Sequence, residues 1–164
     1  MRIGGVVAEY NPFHNGHAYQ LMELRRAGAT HIAVVMSGNF VQRGAPAVFD
    51  KTVRARAAVE CGASLVLELP VTAALSSAEG FARCGVEILD RLGAVDTLCF
   101  GSETGDTDAL VRAAEAMCSP EFTQALRTAL DEGRSYPAAR QLALERASGD
   151  GALLTAPNDI LAAE

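Results

Sequence analysis

Four short apolar runs, each followed by a stretch of helical character, set what this chain can fold into. Residues 2–8 (RIGGVVA), 31–36 (HIAVVM), 64–69 (SLVLEL) and 96–100 (DTLCF) are bounded by Gly, Pro or Asp. Runs of this length and β-branched content read as buried parallel strands. Helical patterning fills 17–27, 50–61 and 77–92, with Asp50 placed to cap the second segment at its start and Gly62 at its end. Three Ala-rich helical stretches follow at 107–117, 120–132 and 137–147, punctuated by Ser119-Pro120 and Gly133. A β–α–β–α–β–α–β series predicts a parallel sheet covered by helices on both faces. Right-handed crossovers then bring the ends of strands 1 and 4 around one crevice, where such folds bind ligands. The expected fold class is α/β: a single Rossmann-like domain over residues 1–164 with a helical C-terminal extension. Asn158-Asp159-Ile160-Leu161-Ala162-Ala163-Glu164, preceded by Pro157, reads as a helix start that stops before two turns, as expected of one domain of a longer protein.

Composition removes several classes of function. A length of 164 residues suits one domain, and 49% hydrophobic residues exclude a disordered chain. No apolar stretch approaches the roughly 20 residues a membrane helix needs. The opening MRIGGVVAEYNPFHNGH turns polar too soon for a signal peptide, so a cytoplasmic protein with no membrane partner is expected. Lys51 is the only lysine among 14 basic residues, against 20 acidic ones, for a net charge of −6. A broad nucleic-acid surface would carry a basic excess, so any such contact is expected to be local and weak in this chain. A rim of Arg43, Arg54 and Arg56 is the candidate for it. Cys61, Cys84, Cys99 and Cys118 lack metal-ligand spacing and read as reduced core residues.

Three polar clusters follow predicted strand ends. The densest is Glu9-Tyr10-Asn11-Pro12-Phe13-His14-Asn15-Gly16-His17, which opens the first helix. Gly16 permits close backbone approach, and a helix start offers free N–H donors and the positive end of the dipole. His14 and His17 there can hydrogen-bond phosphate oxygens and stabilise charge on a leaving pyrophosphate. The competing reading makes them a cap and a packing residue, and zinc lacks a third ligand nearby, so no metal site is assigned. Second is Ser37-Gly38-Asn39-Phe40-Val41-Gln42-Arg43-Gly44, followed by Asp50-Lys51-Thr52-Val53-Arg54. Helical spacing puts Lys51 and Arg54 one turn apart, either as a phosphate-binding pair or as a solvated face. Third is Gly101-Ser102-Glu103-Thr104-Gly105-Asp106. Gly101 would let an adenine or ribose lie against the backbone, while Ser102 and Glu103 could bond a sugar or help bind Mg²⁺.

His14-x-Gly16-His17 after the first strand resembles the HxGH signature of the nucleotidyltransferase superfamily. GVVAEYNPFHNGHAYQL, VVMSGNFVQRGAPAVFDKTVRA, LVLELP, FGSETGD and PNDIL, in that order, resemble the bacterial tRNA(Met) cytidine acetate ligases over residues 3–161. The resemblance implies a nucleotidyltransferase domain that uses ATP to activate acetate as acetyl-adenylate. The acetyl group is then passed to the exocyclic amine of the wobble cytidine in elongator tRNA(Met). It also implies ATP contacts from the segment Val7, Ala8, Glu9, Tyr10, Asn11, Pro12, Phe13, His14, Asn15, Gly16, His17, Ala18, Tyr19 and Gln20, and from Gly101 and Asn158. Ser37 and Ser102 are further candidates for that site. His14 and His17 would face the phosphates, with Lys51 as a third catalytic candidate and Mg²⁺ as an accompanying ion. Members of the family continue past PNDIL into a C-terminal region expected to supply tRNA contacts.

Two other functions fit the same residues. One is a nucleotidyltransferase acting on a small phosphorylated metabolite, distinguished by pyrophosphate exchange with a panel of acceptors. The other is a non-catalytic ATP-binding paralogue, distinguished by ATP binding without turnover.

Overall fold

In the computed structural model, residues 1–42, 44–149 and 156–163 are described. The chain forms two compact units, Met1–Phe100 and Gly101–Glu164. The first holds β1 (Ile3–Ala8), α1 (Asn15–Arg26), β2 (His31–Ser37), α2 (Lys51–Glu60), β3 (Leu65–Leu69), α3 (Val71–Ala74), α4 (Ala78–Arg91) and β4 (Thr97–Leu98). All four strands are parallel, in the order β3-β2-β1-β4. The alternation in the sequence thus gives the expected α/β architecture, with β1 between β2 and β4, where the strand order reverses. In parallel sheets that reversal is where loops leaving the C-terminal strand ends part and expose a binding crevice.

Side-chain alternation along β1 and β2 sorts the two faces. Val6, Ile32, Val34 and Met36 meet Leu21 and Leu24 of α1, Ala58 of α2 and Tyr10 in one apolar core. On the opposite face α4 lies close: a Cβ on Gly85 would fall 2.5 Å from a methyl of Val7. The Gly4-Gly5 pair admits helices on both sides. A Cβ on Gly4 would meet Leu24 of α1 at 2.4 Å, and one on Gly5 would meet Leu89 of α4 at 2.9 Å.

β4 is shorter than its apolar run suggests. Only Thr97 and Leu98 pair, opposite Gly4 and Gly5. The flanking bonds Asp96 N–H to Ile3 O and Cys99 N–H to Gly5 O, both 2.8 Å, extend the contact slightly. Asp96 Oδ2 also accepts from Ile3 N at 2.7 Å. α3, a single turn after Pro70, was not expected, since four residues are too few to show a helical period.

The second unit holds α5 (Thr107–Met117), α6 (Pro120–Asp131), α7 (Tyr136–Ser148) and α8 (Pro157–Ala163). Ser119 caps α6, with Pro120 at its first position, and α7 ends at Gly149 in the left-handed conformation (φ 77°). Ala109, Ala113, Phe122, Ala143, Leu144 and Ala163 form its own small core. α8 covers seven residues, just under two turns, as expected.

The cysteines depart from expectation. All four are free thiols, as predicted, but Cys61 and Cys118 are exposed rather than core residues. Each sits just past a helix end, where the capping geometry turns the residue outward. No helix among the described residues is long and apolar enough to cross a membrane.

Candidate active site

β1 ends at Ala8, and the chain must turn from a buried strand into α1 within a few residues. Tyr10 takes a positive φ of 51° and Asn11-Pro12 is cis. His14 then becomes the N-cap of α1, in extended conformation. Its Nδ1 accepts from Gly16 N at 3.1 Å, while Nδ1 of His17 accepts from His14 N at 3.2 Å. The two imidazoles thus form a reciprocal capping box, each satisfying a backbone donor that the helix start leaves unpaired. Their rings stack at 3.7 Å between centroids, and Tyr10 and Phe13 pack on His17 at 4.7 and 5.6 Å.

This arrangement fixes chemistry as well as shape. Nδ1 of each ring is an acceptor, so in the neutral imidazole the proton sits on Nε2. Two Nε2–H donors result, at the positive end of a helix whose first turn carries no acidic residue. Burial, and then the neighbouring His14, lower the His17 pKa from 6.5 to about 4. His17 is therefore a neutral donor at physiological pH. The capping reading of the sequence holds through Nδ1 of both rings, and Nε2 takes no part in it.

A pH dependence follows. Between pH 6.5 and about 4 the unfolded chain binds a proton that folded His17 refuses. This contribution to stability is fully present above pH 6.5 and is lost as pH falls through that window. Denaturation midpoints should decline on acidification across it, and the decline should be shallower in His17→Gln.

The loop after β2 is built around Arg54, only 1% exposed. Its guanidinium donates to Glu9 O at 2.6 Å, to Phe49 O at 2.9 Å and to Gly38 O. Burial lowers its pKa. This corrects its assignment to a phosphate-binding pair or an RNA-facing rim: Arg54 ties the ends of β1 and β2 to the start of α2. Helical spacing placed Arg54 one turn from Lys51 but could not say that carbonyls from three loop segments converge on it. Arg56 pairs with Glu60 at 2.8 Å on the surface of α2, and Arg43 lies outside the described residues.

Glu9 and Asn11 join the same structure through their side chains. Glu9 Oε1 accepts from Gln42 N at 2.6 Å, and Asn11 Oδ1 accepts from Val48 N at 2.8 Å. Lys51 opens α2, with its N–H held by Asn39 Oδ1 at 2.8 Å and its ammonium paired with Glu68 at 2.5 Å. Glu68 had not been singled out, although a carboxylate inside the apolar LVLELP run was a visible signal. A Cβ on Gly38 would fall 2.4 Å from Glu68 Oε1, so a side chain there would push the Glu68 carboxylate aside. Ser37 is fully buried, and its hydroxyl has no hydrogen-bond partner among the described residues; the same is true of the buried Tyr10 hydroxyl. Gln20 Nε2 donates to Cys99 O at 3.3 Å. Val7 packs under α4, whereas Asn15, Gly16 and Tyr19 are exposed and Ala18 is half-buried.

In the second unit, Gly101 and Asn158 are neighbours: a Cβ on Gly101 would lie 3.7 Å from the Asn158 carboxamide carbon. Ser102 and Glu103 both bond to the start of α8. Ser102 Oγ donates to Asp159 at 2.5 Å, and Glu103 accepts from Asn158 and Asp159. Among the described residues no three His, Cys, Asp or Glu side chains gather as a metal cage.

Comparison with known proteins matches this geometry to a family. The HIGH Nucleotidyl Transferase pattern covers residues 1–164. The tRNA(Met) cytidine acetate ligase of Acetivibrio thermocellus is 44% identical over 100% of this chain and 41% of its own length. That of Syntrophotalea carbinolica is 48% identical over 100% of this chain and 40% of its own. Thermotoga maritima TmcAL, in a crystal structure with alpha-thio ATP, superposes with a TM-score of 0.92 at 43% identity, covering 99% of this chain and 42% of that one. The chain thus spans about two fifths of the length of these relatives. With His14-Asn15-Gly16-His17 standing at the strand-to-helix turn where the signature belongs, the chain belongs to the HIGH nucleotidyl transferase family.

Proposed function

We propose that this chain carries the ATP-activating part of a tRNA(Met) cytidine acetate ligase, forming acetyl-adenylate from ATP and acetate. The supporting observation is the pair of imidazoles at the start of α1, each committed through Nδ1 and presenting Nε2–H. In the reaction, an acetate oxygen attacks the α-phosphorus, the bond to the β-phosphate breaks, and pyrophosphate leaves. No covalent nucleophile is required. Positioned donors that meet growing negative charge supply most of the help. His14 and His17 fill that role as neutral donors, and Lys51 adds a cation if phosphate displaces Glu68. The residue 7–20 segment and Ser37 in the first unit, and Gly101 and Asn158 in the second, are proposed nucleotide contacts. The family pattern runs over residues 1–164 and so includes both units. Mg²⁺ would arrive on the triphosphate rather than in a protein cage.

The relatives' names give a tRNA(Met) cytidine as their substrate; we propose the same acceptor here, on elongator tRNA(Met) and in a cytoplasmic setting. The net charge of −6 and the buried Arg54 favour RNA contacts lying chiefly in the further length the relatives possess. Acetate-dependent exchange of labelled pyrophosphate into ATP tests the reading. Exchange without acetate, or only with phosphorylated acceptors, would transfer the assignment to a metabolite nucleotidyltransferase. ATP binding with no exchange would leave a binding module.

A further inference from the structure

In the second unit, the loop after Gly101 and the start of α8 hold each other by a reciprocal set of bonds. Asp159, fully buried, accepts from Ser102 Oγ at 2.5 Å, Glu103 N at 3.1 Å and Thr104 N at 3.2 Å. Glu103 answers from the other side. Its Oε1 accepts from Asn158 N at 3.2 Å and Asn158 Nδ2 at 2.9 Å, and its Oε2 from Asp159 N at 3.0 Å. An ionised carboxylate can only accept, so the carboxamide of Asn158 must turn its NH₂ toward Glu103. Its oxygen is thereby fixed on the other side, as an acceptor on an exposed residue. Gly101 leaves the face of that carboxamide uncovered, since a side chain there would rest on it at 3.7 Å.

We propose that Glu103 is a positioning residue for base recognition: it aims the Asn158 carboxamide oxygen so that it accepts from the 6-amino group of an adenine lying over Gly101. The inference rests on the ATP reading above and adds to it the source of base selectivity. A 6-oxo purine would bring an acceptor to an acceptor, leaving both unpaired and costing affinity. Asp159 supports the arrangement by holding the 102–104 backbone from which Glu103 projects.

The test is calorimetric titration of the whole 164-residue chain with ATP and with inosine triphosphate. The parent chain should prefer ATP by about tenfold or more. Asn158→Ala keeps the backbone bonds to Glu103 and should bring the two affinities within about twofold of each other. Glu103→Gln frees the carboxamide to turn and should lower the preference at least threefold. A merely structural clasp would change the unfolding midpoint without moving the ATP-to-inosine ratio. ATP binding with no preference in the parent, or with a preference that neither single variant alters, overturns this inference and leaves the ATP reading standing. Failure of the parent to bind either nucleotide overturns both.

Discussion

Replacing either His14 or His17 by alanine should reduce acetate-dependent pyrophosphate exchange by about a hundredfold or more, the scale of losing one donor aimed at developing charge. The two losses should not multiply, because the rings stack at 3.7 Å and each caps the helix start that supports the other. The capping box also gives the alanine variants a stability cost of about 1 kcal/mol. His14→Ser separates the two roles. A serine oxygen can take over the cap that His14 Nδ1 provides to Gly16 N, so stability should be kept while exchange is lost. Chemical denaturation run beside the exchange assay measures both. Serine restoring exchange along with stability would reduce His14 to a cap.

The other large effect belongs to Arg54. Arg54→Ala should destabilise the fold by roughly 3 kcal/mol or more. It removes a buried charged donor from three carbonyls, and hydrogen bonds to charged groups contribute about 1.5–3 kcal/mol each, while a stranded buried carbonyl costs about 1–3. Arg54→Lys should recover little, because one ammonium cannot span Glu9, Gly38 and Phe49 as the guanidinium fork does. Urea denaturation of the three proteins gives the order directly. If Arg54→Lys matched the parent, a single bond rather than the three-way tie would be holding the loops. Exchange activity should fall further than the loss of folded protein explains, since Glu9 lies in the segment that leads into His14.

The sheet was legible because its signal is local: a buried parallel strand is a short apolar run between turn residues, and three of the four ran nearly as read. The fourth run was drawn five residues long, yet only two residues pair. Composition reports that Leu98, Cys99 and Phe100 are apolar; it cannot report how far an edge strand keeps its partner. The histidine pair was legible because glycine, helix start and imidazoles adjoin in sequence. Arg54 was misread because what buries it comes from residues up to 45 positions away. The Lys51–Glu68 pair escaped for the same reason, with its members 17 residues apart. Asp159 gave no signal beyond being an acid behind Pro157-Asn158, since the loop it clasps is 55 to 57 residues upstream.

The shortness of β4 bears on how the first unit breathes. β3, β2 and β1 are joined by registers of five and six residue pairs, whereas β4 holds β1 by two. Local opening free energy scales with the bonds and buried contacts that must be given up together, so the sheet has a graded seam rather than uniform strength. Amide hydrogens of Thr97, Leu98 and Cys99 should trade with deuterium well before those of Val34 and Val35 at its centre. The flank that loosens first is therefore the one where the strand order reverses, while the three-strand zipper stays shut.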